Sequence, residues 1–205
     1  MDKKRTSSIK RRYDRISAIY DFLDAPMELM AFKKHRETVL NKVTGSVLEI
    51  GVGTGKNIAF YPDDATITAI DFSEKMLERA KKRAAKLQKN VTLYHMDVQQ
   101  LEFEDNVFDT AFSTCVFCSV PDPIEGLEEV KRVLKPGGQF ILLEHVLSER
   151  RFMQPLMNLF NPVTVRLWGA NINRKTCENV KKAGFKIINE TNLSLDIVKL
   201  IVAEA

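Results

Sequence analysis

An α/β fold built on a mainly parallel β-sheet, with helices on both faces, is what three features of this sequence predict. From Ser46 onward, short apolar runs of strand length alternate with helical stretches, the pattern of successive βαβ units. The first run ends in a ladder of glycines, Gly51, Gly53 and Gly55, and the second and third end in the acids Asp71 and Asp97. With 205 residues, 44% hydrophobic and 28% charged, the chain can bury a sizeable core, which excludes a disordered or fibrous protein.

The elements follow in order. Ile9, Tyr13, Ile16, Tyr20 and Leu23 recur at helical spacing and form one stripe of an amphipathic helix. Lys3, Lys4, Arg5, Lys10, Arg11, Arg12 and Arg15 face only Asp2 and Asp14 there, so the formal net charge of +4 is concentrated at this end. Such a helix either docks on the protein's own core or touches an anionic membrane surface. Five strands are then expected at 47–51, 66–71, 91–96, 107–114 and 139–146. The intervening helices include 73–89, opened by a capping Ser73, and 123–134, stopped by Lys135-Pro136-Gly137-Gly138. Residues 151–171, with Pro155 and Pro162 among Phe, Met and Trp, read as a broken apolar helical insert that caps the sheet. If its Met and Phe side chains face the carboxyl edge of the sheet, they form an apolar pocket for a ligand. A helix at 174–183 and strands at 185–192 and 196–203 complete an antiparallel finish.

Several function classes drop out early. The longest apolar runs, such as 140–143 and 197–202, fall far short of the roughly 20 residues that span a bilayer, and the polar N-terminus lacks a secretory signal. A cytoplasmic protein with free thiols at Cys115, Cys118 and Cys177 is expected. Cys115 and Cys118 have C-x-x-C spacing, but Pro121 and Pro123 put them in an extended turn without further metal ligands nearby, so they read as cleft lining and no metal is expected. The glycine ladder lacks the third glycine of a dinucleotide fingerprint, since Lys56 stands at that position, and Gly55-Lys56-Asn57 is not a P-loop. Asp71, about twenty residues beyond the glycines, is placed to accept both ribose hydroxyls. Asp97 is placed to meet an adenine amino group, with Phe72, Met76 and Met96 beside the base.

These motifs resemble the class I S-adenosylmethionine-dependent methyltransferases. The resemblance is carried by residues 49–55 (Glu-Ile-Gly-Val-Gly-Thr-Gly), 70–77 (Ile-Asp-Phe-Ser-Glu-Lys-Met-Leu), Met96-Asp97-Val98, Phe108-Asp109 and 130–138. It implies a Rossmann-like, seven-stranded sheet over one domain spanning 1–205, with residues 1–40 as an N-terminal helical extension or lid and 150–172 as the insert. S-adenosyl-L-methionine is the implied cofactor and S-adenosyl-L-homocysteine its product. The implied contacts run from Glu49, Gly51, Gly53 and Gly55 through Asp71, Phe72, Met76, Met96, Asp97 and Val98 to Cys115 near the sulfonium. Tyr13-Asp14 and Tyr20-Asp21 resemble the tyrosine motif that folds over the cofactor in quinone and phospholipid methyltransferases. Residues 49–55 and the basic N-terminal helix look like phosphatidylethanolamine N-methyltransferases. Cys118-Ser119-Val120, Glu144-His145-Val146, Trp168 and Asn171-Ile172-Asn173-Arg174 look like membrane-associated thiol S-methyltransferases that use small alkyl thiols.

Transfer from a sulfonium needs alignment and exclusion of water more than a dedicated base. Where an acceptor must lose a proton, His145 is the first candidate, because a reference pKa of about 6.5 lets it accept one near neutrality. Glu144 and Tyr20 are the others. The expected acceptor is a small hydrophobic or amphipathic molecule, a phospholipid amine or a thiol, with reversible contact at an anionic membrane surface and no nucleic acid partner. The competing readings are an RNA methyltransferase, for which residues 113–116 (Ser-Thr-Cys-Val) lack the Asn-Pro-Pro-Tyr type of motif, and a cofactor-binding module without catalysis.

Overall fold

A computed structural model describes residues 33–205, so the N-terminal stripe with Tyr13 and Tyr20 lies outside the described residues. Seven strands form one sheet in the order β3-β2-β1-β4-β5-β7-β6. The strands are β1 (Ser46–Ile50), β2 (Thr66–Asp71), β3 (Thr92–His95), β4 (Phe108–Thr114), β5 (Leu134–His145), β6 (Lys186–Ser194) and β7 (Val198–Glu204). The first five are parallel and β7 runs antiparallel between β5 and β6. The strand order reverses between β1 and β4, and open α/β sheets bind ligands in the crevice at such a reversal.

Burial on both faces explains why the central strands are continuous apolar runs. On one face Leu48, Ile50 and Phe140 pack with Leu127 and Val130 of α3 (Pro123–Val133) and Val180 of α5 (Thr176–Lys182). On the other, Val47, Phe112 and Ile141 pack with Val39 and Leu40 of α1 (Lys33–Leu40) and Ala80 and Ala84 of α2 (Glu74–Leu87). The caps are local and match their residue types. Ser73 accepts a hydrogen bond from the Met76 amide at the start of α2, and Asp122 accepts from Ile124 and Glu125 before Pro123 opens α3.

Two stretches differ from expectation. Residues 134–138 are extended rather than a plain turn: Leu134 already pairs with Phe108, and the register shifts before Thr110 pairs with Gln139. Gly137 takes φ +77°, and a Cβ on Gly138 would come within 2.8 Å of the Lys135 carbonyl, so the glycines make an irregularity inside the strand. The insert is one continuous helix, α4 (Met153–Trp168), not a broken one. Pro155 falls in the first turn, where amides have no intrahelical partner, and only Pro162 removes an internal bond. Among the described residues no helix is long and apolar enough to cross a membrane.

Candidate functional site

The chain leaves β1 at Ile50 and turns through residues 51–55 into a 3-10 helix, Lys56–Phe60. Gly51 (φ +69°) and Gly53 (φ +56°) occupy left-handed backbone for different reasons. A Cβ on Gly51 would stand 2.6 Å from Cγ2 of Val116, so this glycine permits close packing of the two loops. At Gly53 a Cβ would meet nothing within 4 Å, so the backbone faces open space. Gly55 is buried against Ile58 and Ala80 and does not line the cleft.

Asp71, 6% exposed at the end of β2, fixes this loop. Its Oδ2 accepts the Gly53 amide at 2.8 Å and its Oδ1 the Ser73 amide at 2.9 Å, so one carboxylate ties the glycine turn to the opening of α2. Asp97 is held by Gln99, whose backbone amide and side-chain Nε2 both donate to it at 3.0 to 3.1 Å. The Gln99 Oε1 in turn accepts the Asp122 amide at 2.9 Å. Both acids face a cleft that is open to solvent. Gly51, Gly53, Phe72, Met76, Met96, Val98 and Cys115 line it too, so most of the expected cofactor residues converge there.

Glu49, Glu144 and His145 do not line the cleft. Along β1 the side chains alternate, so Glu49 faces away from Leu48 and Ile50. Its carboxylate accepts from Asn57 Nδ2 at 2.6 Å and from the Tyr61 hydroxyl. Asn57 also bonds Thr114 Oγ1 (3.0 Å), and Arg36 of α1 donates to Asn57 Oδ1 and Thr114 Oγ1, each at 2.8 Å. Complete burial pushes the Glu49 pKa up to about 7 against the opposing pull of Tyr61 and Asn57. This network clamps α1, the glycine turn and β4 behind the site. Sequence reasoning missed Arg36, Asn57, Tyr61 and Thr114. Strand alternation at Glu49 was the available signal, but partners up to 78 residues apart carry no local one.

Glu144 sits behind the loop that follows β4. Its Oε1 accepts from Ser113 Oγ (3.3 Å) and from the amides of Val116 (2.9 Å) and Phe117 (3.1 Å), while its Oε2 is buried without a partner. Burial raises its pKa to about 7. That carboxyl therefore holds the wall bearing Cys115, which itself adopts φ +58°, an uncommon conformation for a residue with a Cβ. Burial, reinforced by Glu144, raises the Cys118 thiol to about 12, the reverse of a redox-active cysteine. His145 has its Nδ1 buried without a partner, and burial lowers its pKa, which keeps the ring neutral near pH 7. The insert departs from its expected place as well. Phe152 and Phe160 point outward and, with Met153 and Met157, stand apart from the cleft lining.

The lining fits S-adenosylmethionine. Asp71 and Asp97 are acceptors for hydroxyl and amino donors, apolar side chains flank a planar base, and the backbone at Gly53 is open to close approach. Among the described residues no Lys, Arg or His lines the cleft. A pyrophosphate would meet two carboxylates without a counter-charge, whereas a sulfonium cation meets a field of the favourable sign.

A family model described as "Methyltransferase domain" matches residues 48–142. Over 145 residues the chain is 32% identical to the phosphatidylethanolamine N-methyltransferase of Cereibacter sphaeroides, covering 70% of each chain. It is 36% identical over 168 residues to the thiol S-methyltransferase TMT1B of Rattus norvegicus, covering 77% of this chain and 66% of that one. It is 34% identical over 161 residues to the demethylmenaquinone methyltransferase of Staphylococcus epidermidis, covering 76% of this chain and 62% of that one. The last two matches thus span slightly less than two thirds of those relatives' lengths. In fold it is similar to a SAM-dependent methyltransferase from Aquifex aeolicus, with a TM-score of 0.69 at 22% identity over 92% of this chain and 97% of that one.

Proposed function

This chain belongs to the class I S-adenosylmethionine-dependent methyltransferases, and from that premise we propose that it transfers a methyl group to a small hydrophobic or amphipathic acceptor, a phospholipid amine or a thiol. The observation that carries this reading is the lining of the cleft, apolar apart from a few short polar groups, with Asp71 and Asp97 as its charged side chains. Such a wall suits an acceptor with an apolar body and one nucleophilic atom. It repels a polyanion, which argues against RNA. The three relatives are named for a phospholipid amine, a thiol and a menaquinone precursor, and those names support the same chemical class.

When bound, S-adenosylmethionine supplies a methyl group on a sulfonium that an acceptor lone pair displaces in line. In this reading Asp71 takes the ribose hydroxyls and Asp97 the adenine amino group, while Phe72, Met76 and Met96 pack on the base. The turn at Gly51 and Gly53 receives the methionine portion. Tyr13 and Tyr20, outside the described residues, are assigned to the cofactor only on the likeness of their motif to that of quinone and phospholipid methyltransferases. Glu144 is a positioning residue that fixes the Val116 and Phe117 amides and with them Cys115 at the wall. No side-chain base is required within the cleft, so His145→Gln should leave kcat at neutral pH within about twofold of wild type. A pH-rate profile in which the variant loses a limb would restore His145 as the proton acceptor. The basic residues from Lys3 to Arg15 support reversible contact with an anionic membrane surface from a cytoplasmic location.

The test is incubation with methyl-labelled cofactor and a panel of alkyl thiols, phosphatidylethanolamine, quinols and RNA. Label in the thiol or the phospholipid supports the proposal. Label in RNA alone, or in nothing despite measured cofactor binding, overturns it in favour of an RNA methyltransferase or a non-catalytic binding module.

A further inference from the structure

Asp97 and Gln99 lie on the loop that follows β3, and of the two only Asp97 lines the cleft. Gln99 stands behind it, 3% exposed, and a polar side chain so buried is kept there by what it bonds. Its backbone amide donates to Oδ1 of Asp97 at 3.0 Å, and its Nε2 donates to Oδ1 at 3.1 Å and to Oδ2 at 3.0 Å. Its Oε1 accepts the Asp122 amide at 2.9 Å. Among the described residues every donor to the Asp97 carboxylate belongs to Gln99.

These bonds admit one orientation of the Gln99 amide. Turned over, Oε1 would face both carboxylate oxygens and Nε2 would face the Asp122 N–H, setting acceptor against acceptors and donor against donor. A carboxylate offers about four acceptor sites, so Gln99 occupies those turned from the cleft and leaves acceptor capacity for a ligand. A carboxylate held in this way presents acceptors and no donor. It pairs with an amino group and repels a carbonyl oxygen. The Asp122 bond gives the same amide a second tether. Asp122 caps α3 directly after Pro121, another residue of the cleft wall, so the two loops that flank this end of the cleft are held together.

We infer that Gln99 sets base selection in the cleft: by locking Asp97 as an acceptor, it admits a purine that carries a 6-amino group and rejects one that carries a 6-oxo group. Gln99 acts through Asp97 and is a positioning residue. The inference rests on the proposed placement of the adenine amino group at Asp97, and it deepens that reading by naming what fixes the selectivity.

The test titrates the full chain, by calorimetry, with S-adenosylhomocysteine and with S-inosylhomocysteine, which differ at the 6-position of the purine. Wild type should bind the adenosyl compound at least about thirtyfold more tightly. Gln99→Glu keeps the shape and the acceptor for the Asp122 amide but sets a carboxylate against Asp97, whereas Gln99→Met keeps the bulk without either polar group. In both the preference should fall to within about threefold, measured at about pH 8, where a proton shared between two carboxylates has been lost. Loss of packing alone would weaken both ligands equally and leave the ratio at its wild-type value, and thermal melts check that each variant folds. Asp97→Asn/Gln99→Glu reverses the polarity of the pair: the new side-chain amide donates to the new carboxylate, and its oxygen is left for the 6-amino group. This double variant should recover most of the preference that Gln99→Glu loses. A ratio unchanged from wild type in both single variants, or a double variant no more selective than Gln99→Glu, would overturn the role of Gln99 alone. Wild type that binds both ligands equally would instead overturn the adenine placement, and this inference with it.

Discussion

Around the glycine turn polar groups are held before any ligand arrives, whereas along the outer face of α4 large apolar side chains stand in water. Asp71 holds the Gly53 and Ser73 amides, Asp97 is gripped by Gln99, and Glu49 anchors Asn57 and Tyr61. Phe152 and Leu159, each 72% exposed, have no comparable restraint. The first region is preorganised, so a small ligand loses little in ordering it. The second gains only when an apolar phase removes it from water. The contrast teaches that the preorganised polar cleft and the exposed apolar stripe are separate parts of the chain, linked through the bonds of Asn171 and Arg174 to the Cys118 and Val120 carbonyls.

The sharpest way to break that contrast is at Asp71. Its replacement by Ala removes the acceptor proposed for ribose hydroxyls and frees the Gly53 and Ser73 amides. Charge-assisted hydrogen bonds contribute about 1.5–3 kcal/mol each, so cofactor affinity should fall by at least about a hundredfold in calorimetry. Unchanged affinity would remove the ribose assignment. The next effect separates two glycines. Gly51→Ala should lower stability by about 1–3 kcal/mol, because its Cβ would stand 2.6 Å from Val116 in left-handed backbone. Gly53→Ala, with open space beside it, should cost only about 1–2 kcal/mol of backbone strain while weakening cofactor binding more than its partner does. Paired thermal melts and titrations decide, and matching affinities for the two variants would show that Gly53 does not face the ligand.

A smaller, pH-dependent effect belongs to Glu144. Burial raises its folded pKa to about 7 from an ordinary 4.5, so between those values the folded state holds a proton that the unfolded state has released. That contribution is fully present below about pH 4.5 and is lost as pH rises through 7. Gln keeps an acceptor for the Val116 and Phe117 amides and cannot ionise. The melting temperature of Glu144→Gln minus that of wild type should therefore grow across this window and level off above it. A difference that stays flat with pH would show that Glu144 is already ionised in the folded protein.

The parallel strands and the Ser73 cap were legible in the sequence because each depends on neighbours within a few residues. Asp71 was legible because a strand end and a glycine turn jointly place it. Glu49 was recognisable as part of a motif, yet its position behind the cleft depends on Asn57 and Tyr61 packing against the far face of β1. Pro162 suggested a break in α4, but packing of Met157 and the hydrogen bonds of Asn158 and Asn161 hold the helix through it. The outward aim of Phe152 and Phe160 was likewise hidden, since apolar composition states that a helix has a greasy side and not what lies against it.

The account depends most on the rim of the sheet being acidic and apolar, shaped for a sulfonium-bearing adenosine compound. Calorimetric titration of the full chain with S-adenosylmethionine and, separately, with nicotinamide adenine dinucleotide tests this directly. Saturable one-to-one binding of the first and no heat from the second is the predicted result, and binding of the dinucleotide with none of the sulfonium compound would contradict it.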